Sequence, residues 1–242
     1  MNAFKPIKQT RASEEVLAQL KEAILRGQVK AGQKLPSERE LTEEFQVSRG
    51  VVREAIRVLE MTGFVTMRQG PAGGAYVTDL NFDNLSNGFL DLYLGNKLSI
   101  PELNQVRMHI EPEVARLAAM RITPEYAARL EKAMNDERRP SADYDERMRR
   151  MTEVHFILAE MCGNYLFEAI VNSLIKLTHQ IVDAVNPEDH NALHGAGEHD
   201  EVVNAVLAGN AEGAGKAMSE HLSKFCQELT RVDQIYKGLM RY

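Results

Sequence analysis

Tryptophan is absent, and only two of the 242 residues are cysteine. Cys162 and Cys226 fall inside helical patterns and form no CxxC spacing, which speaks against a disulfide framework or a cysteine-based metal site. A reducing cytoplasm is the simplest compartment. No run of 18 apolar residues occurs, so no membrane-spanning helix is expected. The opening stretch MNAFKPIKQTRASEE has no apolar core, so no secretory signal is expected either. Low-complexity tracts and internal repeats are missing. What remains is a chain long enough for two ordinary domains, and its 44% apolar content supports a real core.

The stretch from Leu35 to Val77 reads LPSERELTEEFQVSRGVVREAIRVLEMTGFVTMRQGPAGGAYV. Leu35 precedes a proline and is therefore pushed toward extended backbone. Ser37 with Glu40 three residues later is a capping box, opening a short helix over about 38–44 with Leu41 facing inward. Phe45-Gln46-Val47 turns the chain. Ser48 then caps a second helix whose apolar face is Val52, Ala55, Ile56 and Leu59, and Gly63 ends it. Two strands follow, 64–68 and 75–77, around the glycine-rich Gln69–Gly74. The polar start of the second helix is Ser48, Arg49, Gly50 and Arg53. Helix N-termini suit phosphate, and arginine reads guanine bidentately in the major groove. Two short helices, a tight turn and a flanking hairpin form a winged helix-turn-helix pattern; a capped helical hairpin without DNA affinity is the plainer alternative.

LPSEREL, then VSRGVVREAIRVLE, then G-F-V, then RQG-x-x-GG-x-x-V resembles the GntR family of bacterial transcription regulators, in its FadR-like branch with an all-helical FCD-type ligand domain. The match is dense over about the first 78 residues. It implies DNA contacts from Arg39, Ser48, Arg49, Gly50, Val51 and Arg53, with wing contacts from Gln69 and Gly70. Double-stranded DNA with a palindromic operator, a homodimer and a place on the nucleoid in the bacterial cytoplasm are implied with it.

Charge divides along the same line. Residues 1–78 hold 12 Lys+Arg against 9 Asp+Glu, a balance of +3; residues 79–242 hold 17 against 26, a balance of −9, which accounts for the net −6. A basic head on an acidic body confines nucleic-acid affinity to the head. The expected organisation is a winged DNA-binding domain over 1–78, a linker over 79–84, a helical domain over 85–230 and a polar, basic-leaning tail over 231–242 able to extend the final helix. The head begins with a loose basic arm (Lys5, Lys8, Arg11) and a helix capped by Ser13, with Val16, Leu20 and Ile24 at helical spacing and Gly27 at its end. The body reads as helix throughout: 85–94, 99–121 with Pro112 inside, a helix capped by Thr123, 142–162 ending at Gly163, one capped by Asn164, a loop over 187–196, then 198–207 and 211–230. The fold class is mainly α, a winged helix-turn-helix followed by a bundle of six or seven helices.

Three histidines lie in separate helices of the body: His155, His199 and His221. Neutral imidazoles from three helices can hold a transition metal in a bundle core; spacing alone favours three unrelated, partly buried histidines. Here too the chain is similar to the FadR-like branch, through H-x8-N, EH-x5-A and G-[DN]-x6-A-x3-H. That similarity implies a divalent ion such as zinc or nickel held by these three residues. It departs at one point, since the family places an aspartate one turn before the first histidine and this chain has Met151. A thioether is a poor partner for a hard ion. Arg107 matches the family arginine that lines the effector pocket and would suit an organic carboxylate; an ion pair with Glu111, at i+4, is the alternative.

The function implied is a transcription regulator, usually a repressor in this family, whose operator binding answers to a small organic acid. Family relatives respond to pyruvate, lactate, sugar acids, amino acids or acyl-CoA. Two other classes stay open: a metal-dependent hydrolase, in which an open metal position activates water, and an architectural DNA binder with a vestigial pocket.

Overall fold

A computed structural model describes residues 10–78, 83–141, 143–185 and 195–239. The chain divides into two compact units, with the boundary between Asn84 and Leu85. Lys5 and Lys8, most of the linker stretch and most of the loop after Pro187 lie outside the described residues.

The first unit is built on α1 (Thr10–Leu25), α2 (Glu38–Phe45), α3 (Arg49–Met61) and a hairpin of β1 (Val65–Arg68) and β2 (Gly74–Val77). α1 starts one turn earlier than Ser13 suggested, because Arg11 and Ala12 are good helix formers and let the helix extend backward. Ser37 and Glu40 form the capping box in full, with Ser37 N–H donating to Glu40 Oε2 over 2.7 Å. Val16, Leu20 and Ile24 of α1 meet Leu41 of α2 and Val52, Ala55, Ile56 and Leu59 of α3 in one core. The Phe64 amide still donates to Leu59 O at the end of α3, so β1 begins one residue later than the pattern suggested. The hairpin is antiparallel, with Val65 opposite Val77 and Arg68 opposite Gly74. Its outer edge is covered by the entry to α2, where Leu35 N–H donates to Ala75 O over 2.8 Å. At the hairpin tip only glycine fits position 73, where a Cβ would stand 2.8 Å from the carbonyl oxygens of Arg68 and Gly70.

Among the described residues the second unit is all helix: α4 (Asp83–Leu94), α5 (Ile100–Ala119), α6 (Pro124–Glu137), α7 (Tyr144–Met161), α8 (Tyr165–Val185), α9 (Asp200–Leu207) and α10 (Ala211–Leu239). Ser99 and Glu102 form a second capping box, and Thr123 caps α6. Asp143 rather than the residues before it caps α7, accepting from Glu146 N–H at 3.1 Å. α10 is one helix through Leu239, so residues 231–239 of the tail extend the final helix, as the sequence allowed; residues 240–242 lie outside the described residues.

α7 is the central helix. Val154, Ile157, Leu158, Ala159, Met161 and Cys162 are all buried, because α5, α6 and α8 pack around it. α5 and α10 lie side by side, and the reason is residue size. Ala115, Ala118 and Ala119 on α5 face Ala214 and Met218 on α10, and a Cβ at Gly215 would stand 3.2 Å from the Pro112 carbonyl oxygen. α5 continues through Pro112, although a proline cannot supply the amide of the usual helical bond. A second core cluster joins Tyr93 of α4 to Ile100 and Leu103 of α5, Leu177, Ile181 and Val182 of α8, and Leu229 of α10.

Candidate functional site

His155 projects from the middle of α7, His221 from α10, and His199 occupies the N-cap position of α9. α7 packs on α5 and α6, α9 packs on the same two helices, and α10 packs on α5 and α9, which brings the three rings together. His199 is fully buried and the other two nearly so. One ligand nitrogen from each lies within 4.8 Å of the others. His155 and His199 meet edge to face, with centroids 4.7 Å apart and planes at 87°. His221 lies 4.4 Å from His199 and 5.3 Å from His155, centroid to centroid.

Two glutamates that the sequence reading did not assign to the histidines complete the arrangement. Glu111 of α5 places Oε2 2.6 Å from His155 Nδ1, and Glu137, the last residue of α6, places Oε2 3.1 Å from His199 Nδ1. A carboxylate at Nδ1 draws the ring proton there and leaves Nε2 as a lone pair. The two Nε2 atoms then face each other at 2.9 Å. Opposed lone pairs repel unless a cation or a proton lies between them. Two imidazole nitrogens on one zinc at about 2.0–2.1 Å stand about 3.3 Å apart at the tetrahedral angle, so an ion would spread this pair by about 0.4 Å from the hydrogen-bond distance it has here. A protonated Glu137 would satisfy the same contacts without metal, donating to His199 Nδ1 so that His199 Nε2–H donates to His155. Burial, and then the Asp200 charge, pushes the Glu137 carboxyl up to about 7. Burial also keeps His199 well below the usual imidazole range, with His155 adding to the effect. Glu111 is the opposite case. Burial alone would raise it, but Arg107 and His155 together outweigh burial and hold it at about 2.

Arg107 is buried, and its Nε donates to Glu111 Oε1 over 2.6 Å, so the i+4 ion pair is present. It also lines a cavity, with Nη1 3.4 Å from Thr178 Oγ1 and the guanidinium 5.0 Å from the centre of the Phe225 ring. His155, His221, Met151 and His179 line the same cavity. Pairing with Glu111 and a place on the cavity wall therefore coexist in one residue. The cavity measures about 30 Å³, room for a water or two. An organic acid needs the Met148 and Met151 side chains to move, and unbranched thioethers do so readily. Met151, one turn before His155 on α7, is buried. Glu153 points away to the exposed side of α7.

On the first unit, Arg39, Ser48, Arg49, Gly50 and Arg53 are exposed around the start of α3, and Val51 is half-buried. Ser48 stands at the N-cap without a side-chain capping bond, so its hydroxyl is not committed to the helix. Arg53 reaches back to Glu38 through two contacts, at 3.0 and 3.3 Å, which fixes its direction. Gln69 and Gly70 lie at the exposed hairpin tip, and Gly70 takes a left-handed φ of 97°. Two arginines went unassigned in the sequence. Arg57 is exposed and continues the row of Arg49 and Arg53 at i+4 spacing, a signal that was available. Arg68 is exposed on β1, with its guanidinium 4.1 Å from the Tyr76 ring centre, a contact that needed the hairpin register.

Comparison with known proteins bears on both units. Residues 12–77 match the model of bacterial regulatory proteins of the gntR family, and residues 102–224 match the FCD domain. The chain is 30% identical over 230 residues to the HTH-type transcriptional repressor NanR of Cronobacter sakazakii, covering 90% of this chain and 85% of that protein. It is 31% identical over 222 residues to the HTH-type transcriptional regulator LutR of Bacillus subtilis, covering 89% and 96%. Among solved structures, a GntR protein of Streptococcus agalactiae superposes with a TM-score of 0.64 at 26% identity, covering 89% of this chain and 99% of that one.

Proposed function

Because the chain belongs to the GntR family of bacterial regulatory proteins, with an FCD domain behind a winged helix-turn-helix head, it is a DNA-binding transcription regulator, and we propose that a small organic carboxylate, bound beside a transition-metal ion in the helical unit, controls its hold on DNA. The observation that carries this reading is the convergence of three buried imidazoles, one ligand nitrogen from each within 4.8 Å of the others, with carboxylates at Nδ1 of His155 and His199. Such a cluster has a donor set for a metal and the outer carboxylates that orient metal-bound imidazoles. His155, His199 and His221 would hold the ion, and neutral imidazoles suit zinc or nickel. When bound, it supplies a positive pole at the cavity wall. Met151 contributes no charge there, so compensation falls to Glu111 and Glu137. Arg107 offers the effector carboxylate a second cationic partner. Both buried carboxylates are engaged at imidazole nitrogens, which supports ligand binding over a hydrolytic reading in which one of them acts on water.

The DNA contacts are assigned to Arg39, Ser48, Arg49, Gly50, Val51 and Arg53, with Gln69 and Gly70 from the wing. The name of the Cronobacter relative favours repression. A head with a balance of only +3 suits a homodimer that reads two half-sites of a palindrome in the cytoplasm. Val182 and Phe225 line the cavity and also pack in the cluster that holds Tyr93 of α4, the first helix after the head. An effector that favours one packing of that cluster has a physical route to α4; only different affinity for two arrangements can shift them.

The test is elemental analysis of protein purified without a histidine tag, followed by thermal-shift titration of small carboxylates before and after chelation. About one transition-metal ion per chain and chelator-sensitive carboxylate binding are expected. No stoichiometric metal, together with affinity indifferent to chelator and to His199→Ala, would leave Arg107 and its neighbours to carry recognition alone.

A further inference from the structure

His179 of α8 lines the cavity beside Arg107 and Thr178, and its Nε2 is buried with no hydrogen-bond partner among the described residues. It is not one of the three clustered histidines. Buried polar atoms in folded proteins are nearly always paired, because leaving one unpaired costs about as much as a lost hydrogen bond. The rest of the wall near it is apolar: Ile175 and Val182 on its own helix and Phe225 on α10. Among the described residues nothing there pairs with Nε2, and a ligand entering the cavity passes against it.

From this placement we infer that His179 is the residue that discriminates among small carboxylates, its Nε2 pairing with an uncharged hydroxyl or carbonyl on the carbon skeleton and rejecting acids that lack one. The inference rests on the carboxylate site proposed above. Charge argues for an uncharged group. Arg107 is the nearby cation for a carboxylate, and the imidazole is kept neutral, since burial pushes it down to about 4 with Arg107 and His155 adding to the effect against Asp183. A neutral imidazole nitrogen can donate or accept one hydrogen bond, which matches a hydroxyl or a carbonyl, whereas a second carboxylate would bring a second buried charge to the cavity with Arg107 already engaged by the first. The apolar wall takes the skeleton between the two polar groups. Discrimination follows from the same physics: a site whose buried polar group pairs only with the right ligand rejects the analogue that leaves it unpaired.

The experiment holds ligand size fixed. Butyrate, 2-hydroxybutyrate, 3-hydroxybutyrate, 2-oxobutyrate and succinate are titrated by calorimetry into the full-length wild-type protein and into His179→Phe and His179→Gln. At least one hydroxy or oxo acid should bind wild type about tenfold or more tighter than butyrate. That ratio should fall to near unity in His179→Phe and recover in His179→Gln, which keeps a hydrogen-bonding group, while the metal content of all three stays the same. If hydroxy, oxo and unsubstituted acids bind alike, if succinate is preferred, or if His179→Phe keeps the discrimination, the inference is overturned and the carboxylate site stands. If no acid binds wild type, both are overturned.

Discussion

Glu137 closes α6 with its carboxylate 3.1 Å from His199 Nδ1, so the end of one helix sets the ring orientation of a histidine at the start of another. The carboxylate does not touch a metal position; it acts through the imidazole. Glu137→Gln should therefore lower metal affinity about 10–100-fold with all three histidines intact. Competition against a chromophoric chelator reads this directly. Unchanged affinity would reduce the contact to packing.

Met151→Asp restores a carboxylate one turn before His155. An oxygen ligand with a negative charge should tighten the hold on a divalent ion, and the same charge should repel an anionic effector from the cavity. Metal affinity should rise while carboxylate affinity falls. Both moving in the same direction would contradict the separation of the two roles.

Arg49→Ala tests the DNA face. Loss of one bidentate base contact should cost about 1–3 kcal/mol and relax the preference at one base position, with the fold intact by circular dichroism. Selection of sites from random DNA by wild type and variant reads both effects. Equal affinity and selectivity would mean that α3 does not enter the groove by its N-terminus.

Assembly gives a simple number. Sedimentation should return twice the chain mass of 27.2 kDa, and selected sites should be palindromes. A protein that is monomeric both at micromolar concentration and on its site would contradict the two-headed reading.

Much of the fold was legible because it is written locally. The Ser37–Glu40 and Ser99–Glu102 capping boxes and the left-handed glycines Gly27, Gly63 and Gly163 are all present where the sequence placed them. Ends were less legible: α1 extends back to Thr10, ahead of the Ser13 cap, whereas α10 running on to Leu239 is the extension of the final helix that the polar tail allowed. The site was half legible. Three histidines stand out by residue type and family spacing, whereas Glu111 and Glu137 lie 44 and 62 residues from the rings they hold, and no local pattern joins them. Arg107 looked like a choice between an ion pair and a pocket residue; the i+4 geometry supplies the pair, and tertiary packing puts the same side chain on the cavity wall. His179 carried no signal at all in sequence, since an unpaired buried atom exists only once its surroundings are known.

The central claim is that a carboxylate in the helical unit changes the hold of the winged head on DNA. It is tested most directly by fluorescence-anisotropy titration of the full-length protein on a genomic fragment it has itself selected, at fixed salt, with and without a saturating carboxylate that binds it. The account predicts a shift in DNA affinity of about fivefold or more in wild type, and none in His199→Ala. Equal affinity in wild type with and without the bound acid would contradict it.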